Sequence, residues 1–204
     1  MNVALILGAG APLWGDIERL ETLIGEPWPG IVIAVNSVGI GPDKNGRVWD
    51  RPVDHWITLH AERSKMGKWV EERRANGLPD AGCVWGYGGS SQEPGWIDRW
   101  ASKENLNLHG GSSGLLACHI VLNDLGIPKG VLCGVPMDDQ VNLWSGRHWG
   151  SHARYRHSWT KNAPFLKRHF RSMSPDADGN DSFTRALLGE PTAEWLNEAM
   201  EAAA

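Results

Sequence analysis

The sequence predicts a three-layer α/β domain: a parallel sheet with helices on both faces, followed by a long irregular C-terminal segment. Three observations carry that expectation. Short, uniformly apolar runs such as Val3–Leu7, Ile31–Val35 and Gly130–Val135 lack the alternation of a half-exposed strand and suit strands covered on both faces. Segments with helical spacing of apolar residues separate these runs, the pattern that builds crossover connections. Glycine-rich or polar turns follow several of the runs.

The elements follow in order. Val3–Leu7 meets the turn Gly8-Ala9-Gly10-Ala11-Pro12, and Asp16–Ile24 then places Ile17, Leu20 and Ile24 at helical spacing. Asp16 is the expected N-cap of that helix and Gly25 its stop. Ile31–Val35 ends at Asn36, and Pro52–His60 reads as a third strand around Trp56-Ile57-Thr58-Leu59. Ala61–Ala75 is charged and helix-prone, with Asn76-Gly77 closing it, and Cys83–Trp85 reads as a fourth strand. Gly86–Gly95 is glycine- and serine-rich, a loop long enough to serve as a lid or tip. Ser112–Leu125 reads as a buried helix, apolar nearly all round, stopped by Gly126 and Pro128. Gly130–Val135 runs into Pro136–Asp139; a helix over Thr160–His169 and another starting near Thr192 complete the chain. No repeat or linker divides it, so residues 1–204 read as one domain with 140–204 as a cationic, helical extension.

Composition narrows the function classes. The chain has 204 residues, 41% hydrophobic and 22% charged, which suits a globular domain with a sizeable core. No apolar run approaches the roughly 18 residues of a membrane span. Cys83, Cys118 and Cys133 are odd in number and widely spaced, and they read as reduced thiols of a cytoplasmic protein. The net charge of -4 excludes a general nucleic-acid binder. Yet from Gln140 to Pro175 there is no Asp or Glu, while seven Lys and Arg residues and four histidines crowd the same stretch. Such a block is either a solvated face or an anion site. The 12 tryptophans fit core and interface anchoring, including a homo-oligomer, or stacking against a base or sugar.

In parallel sheets ligands sit at the carboxyl ends of the strands, near the switch in strand order. That rule selects Gly8–Pro12, Asn36-Ser37, His60 and Pro136–Asp139, joined by Gly110-Gly111-Ser112-Ser113-Gly114 at a helix start. Gly8 and Gly10 allow backbone N–H groups to approach a phosphate, although Leu13 stands where a dinucleotide fingerprint has its third glycine. Ser112, Ser113 and Gly114 suit an anion or ribose cradle, or simple helix capping. Asp138 and Asp139 suit a Mg²⁺ ion, a ribose hydroxyl or a base, or a turn cap. Among His148, His152 and His157 a neutral general base fits better than a zinc site, because Gly146 and Gly150 oppose a helix and no acidic ligand is near. Asp176–Asp181 reads as a polar turn, since its glycine is out of register for a calcium loop.

Taken together these residues resemble a Rossmann-like group that contains the bacterial sialyltransferases of the Campylobacter lipooligosaccharide type and the archaeal-type 6-hydroxymethylpterin diphosphokinases. The resemblance rests on Leu5–Leu13, on Ile33–Ser37, and above all on Ser112–Cys118 running through Leu125-Gly126-Ile127 to Leu132–Asp138. His157-Ser158, followed by a helix with Phe165-Leu166, is similar to the segment that bears the catalytic His in the sialyltransferases. The resemblance implies a cytidine-type nucleotide-sugar held by Gly8–Pro12, Asn36 and Ser112–Gly114, with His157 as general base and no cofactor required. The family's two tyrosines on the leaving phosphate have no clear counterparts; Tyr155 is near. Compact size, Trp content and the lack of a membrane-association segment also resemble small bacteriophage-encoded proteins.

Three functions follow as expectations. The first is glycosyl transfer from a nucleotide-activated sugar, with Arg154 or Arg156 neutralising the leaving phosphate and Asp138 and His157 at the reaction centre. The second is a diphosphokinase-like transfer, with Asp138 and Asp139 holding Mg²⁺ on ATP. The third is a non-catalytic binding or assembly protein on the same fold.

Overall fold

The structure is a computed structural model that describes residues 2–59, 65–87, 95–102, 110–150 and 152–201. Seven strands form one parallel sheet: β1 (Val3–Leu7), β2 (Ile31–Val35), β3 (His55–Ile57), β4 (Cys83–Gly86), β5 (Arg99–Trp100), β6 (Lys129–Cys133) and β7 (Phe170–Ser172). Their order is β5-β4-β3-β2-β1-β6-β7. The order reverses at β1, which pairs with β2 on one side and β6 on the other, so Leu5 stands beside both Val32 and Val131.

The uniform apolarity of β1 is explained by helices on both its faces. Val3, Leu5 and Leu7 pack against Leu13, Ile17 and Leu20 of α1 (Leu13–Ile24), in one core with Met66 and Val70 of α2 (Lys65–Ala75). Ala4 and Ile6 belong to the opposite core, with Leu115 and Leu116 of α3 (Ser113–His119) and Trp159 and Leu166 of α4 (His152–His169). The buried helix read over Ser112–Leu125 is α3 continued by a π-helical stretch, Ile120–Asp124. Leu188 of α5 (Phe183–Leu188) joins the α3 side, and Leu196 of α6 (Ala193–Glu201) joins the α1 side.

Several boundaries differ from expectation. The C-terminal segment is more regular than its sequence suggests, because β7 completes the sheet beside β6 and α4 begins at His152 rather than Thr160. Gly130 makes the β7 pairing fit: a Cβ there would come within 2.6 Å of the Phe170 ring. Asp16 is no cap. The helix starts at Leu13, straight after Pro12, and Asp16 is buried in its first turn. The Asp176 carboxylate closes a polar turn by accepting the N–H groups of Asp178 and Asn180. His60, the first residues of the helix read over Ala61–Ala75, and most of the Gly86–Gly95 loop lie outside the described residues.

One close approach governs the geometry at the strand ends. A Cβ on Gly8 would lie 2.5 Å from the Gly134 carbonyl oxygen, and a Cβ on Gly134 would lie 2.3 Å from the Gly8 carbonyl oxygen. Gly134 also has a φ of 69°, in the left-handed region that glycine adopts without strain. Gly134→Ala is therefore expected to destabilise by upward of about 3 kcal/mol, combining backbone strain with overlap. Gly25→Ala shares the left-handed φ but meets open space, and should cost only about 1 kcal/mol. Urea denaturation of the two variants checks the ranking; equal losses would contradict it.

Candidate functional site

The reversal of strand order at β1 opens a crevice at the carboxyl end of the sheet. Its walls come from the β1 turn (Gly8, Ala9, Gly10), the end of β2 (Val35, Asn36), the start of α3 (Gly111–Gly114) and the turn after β6 (Gly134–Asp138). Pieces of chain more than a hundred residues apart thus meet there, as the strand-end rule requires. The segment after Asp138 folds back across them: Leu143 N–H donates to the Ala9 carbonyl at 2.9 Å, and Asn142 bridges Gly10. Asn142, Trp149 and Tyr155 complete the rim.

Each wall offers specific groups. The N–H groups of Ser113 and Gly114 are the first two of α3 and have no partner within the helix, so they are free to donate to an anion. The Ser113 hydroxyl makes no hydrogen bond among the described residues, whereas Ser112 is occupied. Its oxygen caps α3 by accepting Leu115 N–H at 3.3 Å and also accepts the Trp159 indole N–H at 3.1 Å. Asn36 has a φ of 54°. Its carbonyl accepts the Trp56 indole N–H at 2.6 Å and its Oδ1 accepts the Thr58 hydroxyl at 3.0 Å. That leaves the Asn36 amide N–H₂ as a pair of donors. Asn36 and Met137 (φ 58°) are the non-glycine residues with positive φ among the described residues, and both line the crevice. Backbone held in such conformations clusters at functional sites.

The rim carries aromatic rings. Tyr155 packs on bare backbone, since a Cβ on Gly111 would lie 2.5 Å from its ring. Trp149 stacks on Tyr155 with centroids 6.0 Å apart. His152 donates from Nδ1 to the Trp149 carbonyl at 2.8 Å, because a carbonyl can only accept. Its Nε2 therefore carries the lone pair in the neutral ring. His148 Nδ1 lies 3.1 Å from Asp139 Oδ1, with both side chains largely exposed.

Other expected residues stand elsewhere. His157 and Arg154 are exposed on the outer face of α4 and do not line the crevice; His157 is turned about 160° from Tyr155 by helix geometry. Arg156 is drawn away from a ligand role by structure: it donates to the Met137 carbonyl at 2.9 Å and pairs with Asp138. Asp138 also accepts the Phe183 N–H at 3.0 Å, so both its oxygens are engaged. Its neighbour Asp139 faces His148. This donor set suits Arg156 rather than Mg²⁺, and no group of three metal-ligating side chains occurs among the described residues. The sequence reading missed Trp149 and Asn142, and took Asp16 for a helix cap. Trp149 was legible only as part of an unusual Trp count.

No family model matches the chain, and no curated protein matches it in sequence. Solved structures do. The monofunctional alpha-2,3-sialyltransferase Cst-I from Campylobacter jejuni aligns with a TM-score of 0.57 at 11% identity, over 95% of this chain and 80% of that one. The sialyltransferase CstII from Campylobacter jejuni, in complex with cytidine-5'-monophosphate, aligns with a TM-score of 0.59 at 12% identity, over 95% of this chain and 87% of that one. The chain has the fold of these sialyltransferases. At such identity the likeness establishes the fold, and the site must be argued from its own residues.

The crevice is braced from beneath by Asp16. Its Oδ2 accepts the Gly134 N–H at 2.8 Å and the Ser174 hydroxyl at 2.7 Å, while Oδ1 pairs with Arg19 at 3.0 Å. Burial raises the Asp16 carboxyl from 3.8 to about 6, against the lowering effect of those three partners. The folded chain thus holds this proton more tightly than the unfolded chain. The contribution of Asp16 to stability is full below about pH 4 and is lost as the pH rises through about 6. In urea denaturation, the stability difference between the native sequence and Asp16→Asn should shift by about 3 kcal/mol across that window, in the direction that disfavours Asp16 at the higher pH. A difference that does not vary with pH would refute the assignment.

Proposed function

We propose that this protein transfers a glycosyl group from a nucleotide-activated sugar, cytidine-type by likeness to the CstII complex, bound in the crevice at the end of β1 and β6. The observation that carries this reading is the convergence of four separate backbone turns on one opening at the strand-order switch, with α3 aimed into it. The free N–H groups of Ser113 and Gly114 and the Ser113 hydroxyl supply donors for a phosphate. The Asn36 amide, fixed by Thr58, supplies donors for a ribose or base oxygen. Among the described residues no Lys or Arg lines the crevice, and the anion donors they offer are neutral groups and the helix terminus.

The chemistry follows from the rim. An acceptor hydroxyl attacks the anomeric carbon as the bond from that carbon to the phosphate oxygen breaks. The electron pair of the broken bond goes to the nucleotide phosphate, whose charge meets the α3 donors and the Tyr155 hydroxyl. The hydroxyl proton passes to a base. We assign that role to His152 Nε2, because its Nδ1 bond to Trp149 fixes the tautomer and Trp149 itself lines the crevice.

A second reading, a non-catalytic nucleotide binder, is favoured by one observation: no histidine lines the crevice itself among the described residues. The diphosphokinase reading is less favoured, since Asp138 is already engaged by Arg156 and Phe183 N–H.

A thermal-shift panel of nucleotides and nucleotide-sugars, with and without Mg²⁺, separates these readings through ligand linkage. Stabilisation by a cytidine nucleotide-sugar without metal is expected, and it should vanish in Asn36→Ala and Ser113→Ala. His152→Ala should keep the shift and lose turnover by about 100-fold or more. Stabilisation that requires ATP and Mg²⁺ would overturn the proposal. Binding without turnover in the native sequence would establish the binder, and loss of turnover confined to His157→Ala would return the base role to His157.

A further inference from the structure

The outer face of α4 carries a pattern that the crevice does not use. Arg154, His157, Lys161, Phe165 and Arg168 are all exposed. At 100° per residue they fall within an arc of about 80° and run about 21 Å along the helix. The opposite face packs into the core through Trp159, Ala163 and Leu166. Arg154, Lys161 and Arg168 enter no ion pair among the described residues; Arg154 merely lies 5.9 Å from the Tyr155 ring. No carboxylate occurs in sequence between Gln140 and Pro175 to balance them. Surface cations usually have acidic neighbours at helical spacing, and this stripe has none.

Within the stripe sits an apolar ring. Phe165 is 43% exposed, the most open of the large hydrophobic side chains described. It is held by rings of His169 at 5.1 Å and His119 at 6.3 Å. An exposed phenyl ring between Lys161 and Arg168 has no electrostatic role against a soluble polyanion. It does suit the boundary between headgroups and acyl chains, where a cationic helix face meets anionic headgroups.

We infer that α4 docks this protein peripherally onto an anionic lipid bilayer, with Arg154, Lys161 and Arg168 on the headgroups and Phe165 inserted between them. The sequence alone suggests no membrane-association segment, and its helix over Thr160–His169 leaves out Arg154 and His157, which the structure places on α4. Nothing in this inference depends on the chemistry of the crevice.

Co-sedimentation of the 204-residue chain with vesicles tests it. The protein should pellet with phosphatidylcholine mixed with phosphatidylserine and stay in solution with phosphatidylcholine alone. Arg154→Gln, Lys161→Gln and Arg168→Gln together should weaken association on the order of a hundredfold, from about fivefold per cation. Phe165→Ser should weaken it about tenfold. Unchanged melting temperatures would show that these exposed substitutions leave the fold intact. Failure to pellet with the mixed vesicles, or full binding by the triple variant, would overturn the inference. Binding unaffected by Phe165→Ser would overturn it too, leaving a purely electrostatic contact with no inserted ring.

Discussion

Two stretches of bare backbone, at Gly8 and at Gly134, lie against each other with no room for a side chain between them, and the crevice exists because of that contact. Gly8 N–H donates to the Cys133 carbonyl at 2.8 Å and Gly10 N–H donates to the Gly134 carbonyl at 2.9 Å. The ladder between β1 and β6 therefore continues one step past the strands, into the turns. From there the two chains diverge, Gly10 toward α1 and Gly134 toward Asp138, and the gap between them is the opening. Asp16 holds the far side of Gly134 through the backbone N–H, so a helix on one face of the sheet sets the shape of a site at its end. Three hydrogen-bonding partners offset only part of the cost of burying a carboxylate there, which is why its carboxyl stays raised.

Tryptophan does a second structural job. Trp14, Trp28, Trp49, Trp56, Trp85 and Trp159 are all buried, which answers half of the unusual Trp count of 12 with core packing. Each also needs a partner for its indole N–H. Trp56 uses the Asn36 carbonyl, Trp159 uses Ser112, Trp14 uses Asp43 and Trp144 uses the Gly41 carbonyl. Two of these acceptors, at Asn36 and Ser112, belong to crevice residues. Large rings in both cores thus reach through to the strand-end turns and fix them. Stacking against a ligand remains a role for Trp149 alone among those that line the crevice.

Helix α4 illustrates how little of a site can be read from residue type. Its sequence mixes Arg, His, Lys, Tyr and Trp in one cationic block, and any of them could have faced a phosphate. Helical phase sorts them. Tyr155 and Trp159 turn inward, Arg156 bends back to Asp138 and the Met137 carbonyl, and Arg154, His157, Lys161 and Arg168 turn out. Starting the helix eight residues too late conceals that division. The glycines that would discourage a helix, Gly146 and Gly150, act only upstream of His152. There the chain instead makes a short bridge between Val141 and His148.

What the sequence determined by itself was local. Uniformly apolar runs of five residues named most of the central strands, and small residues at Gly8–Gly10 and Ser112–Gly114 marked where a ligand could approach, because backbone access requires the absence of side chains. The three-residue β7 and two-residue β5 were too short to show any period. Tertiary structure alone decided which polar groups remain free. Ser112 and Ser113 are neighbours of identical chemistry, yet one is consumed by a helix cap and a tryptophan while the other is available. Asp138 and Asp16 are both carboxylates near the same turns, yet one is claimed by Arg156 and the other props the crevice from behind. A hydrogen-bonding group has few partners to spend, and which partners reach it depends on chain segments up to 158 residues apart, a distance over which no local pattern carries information.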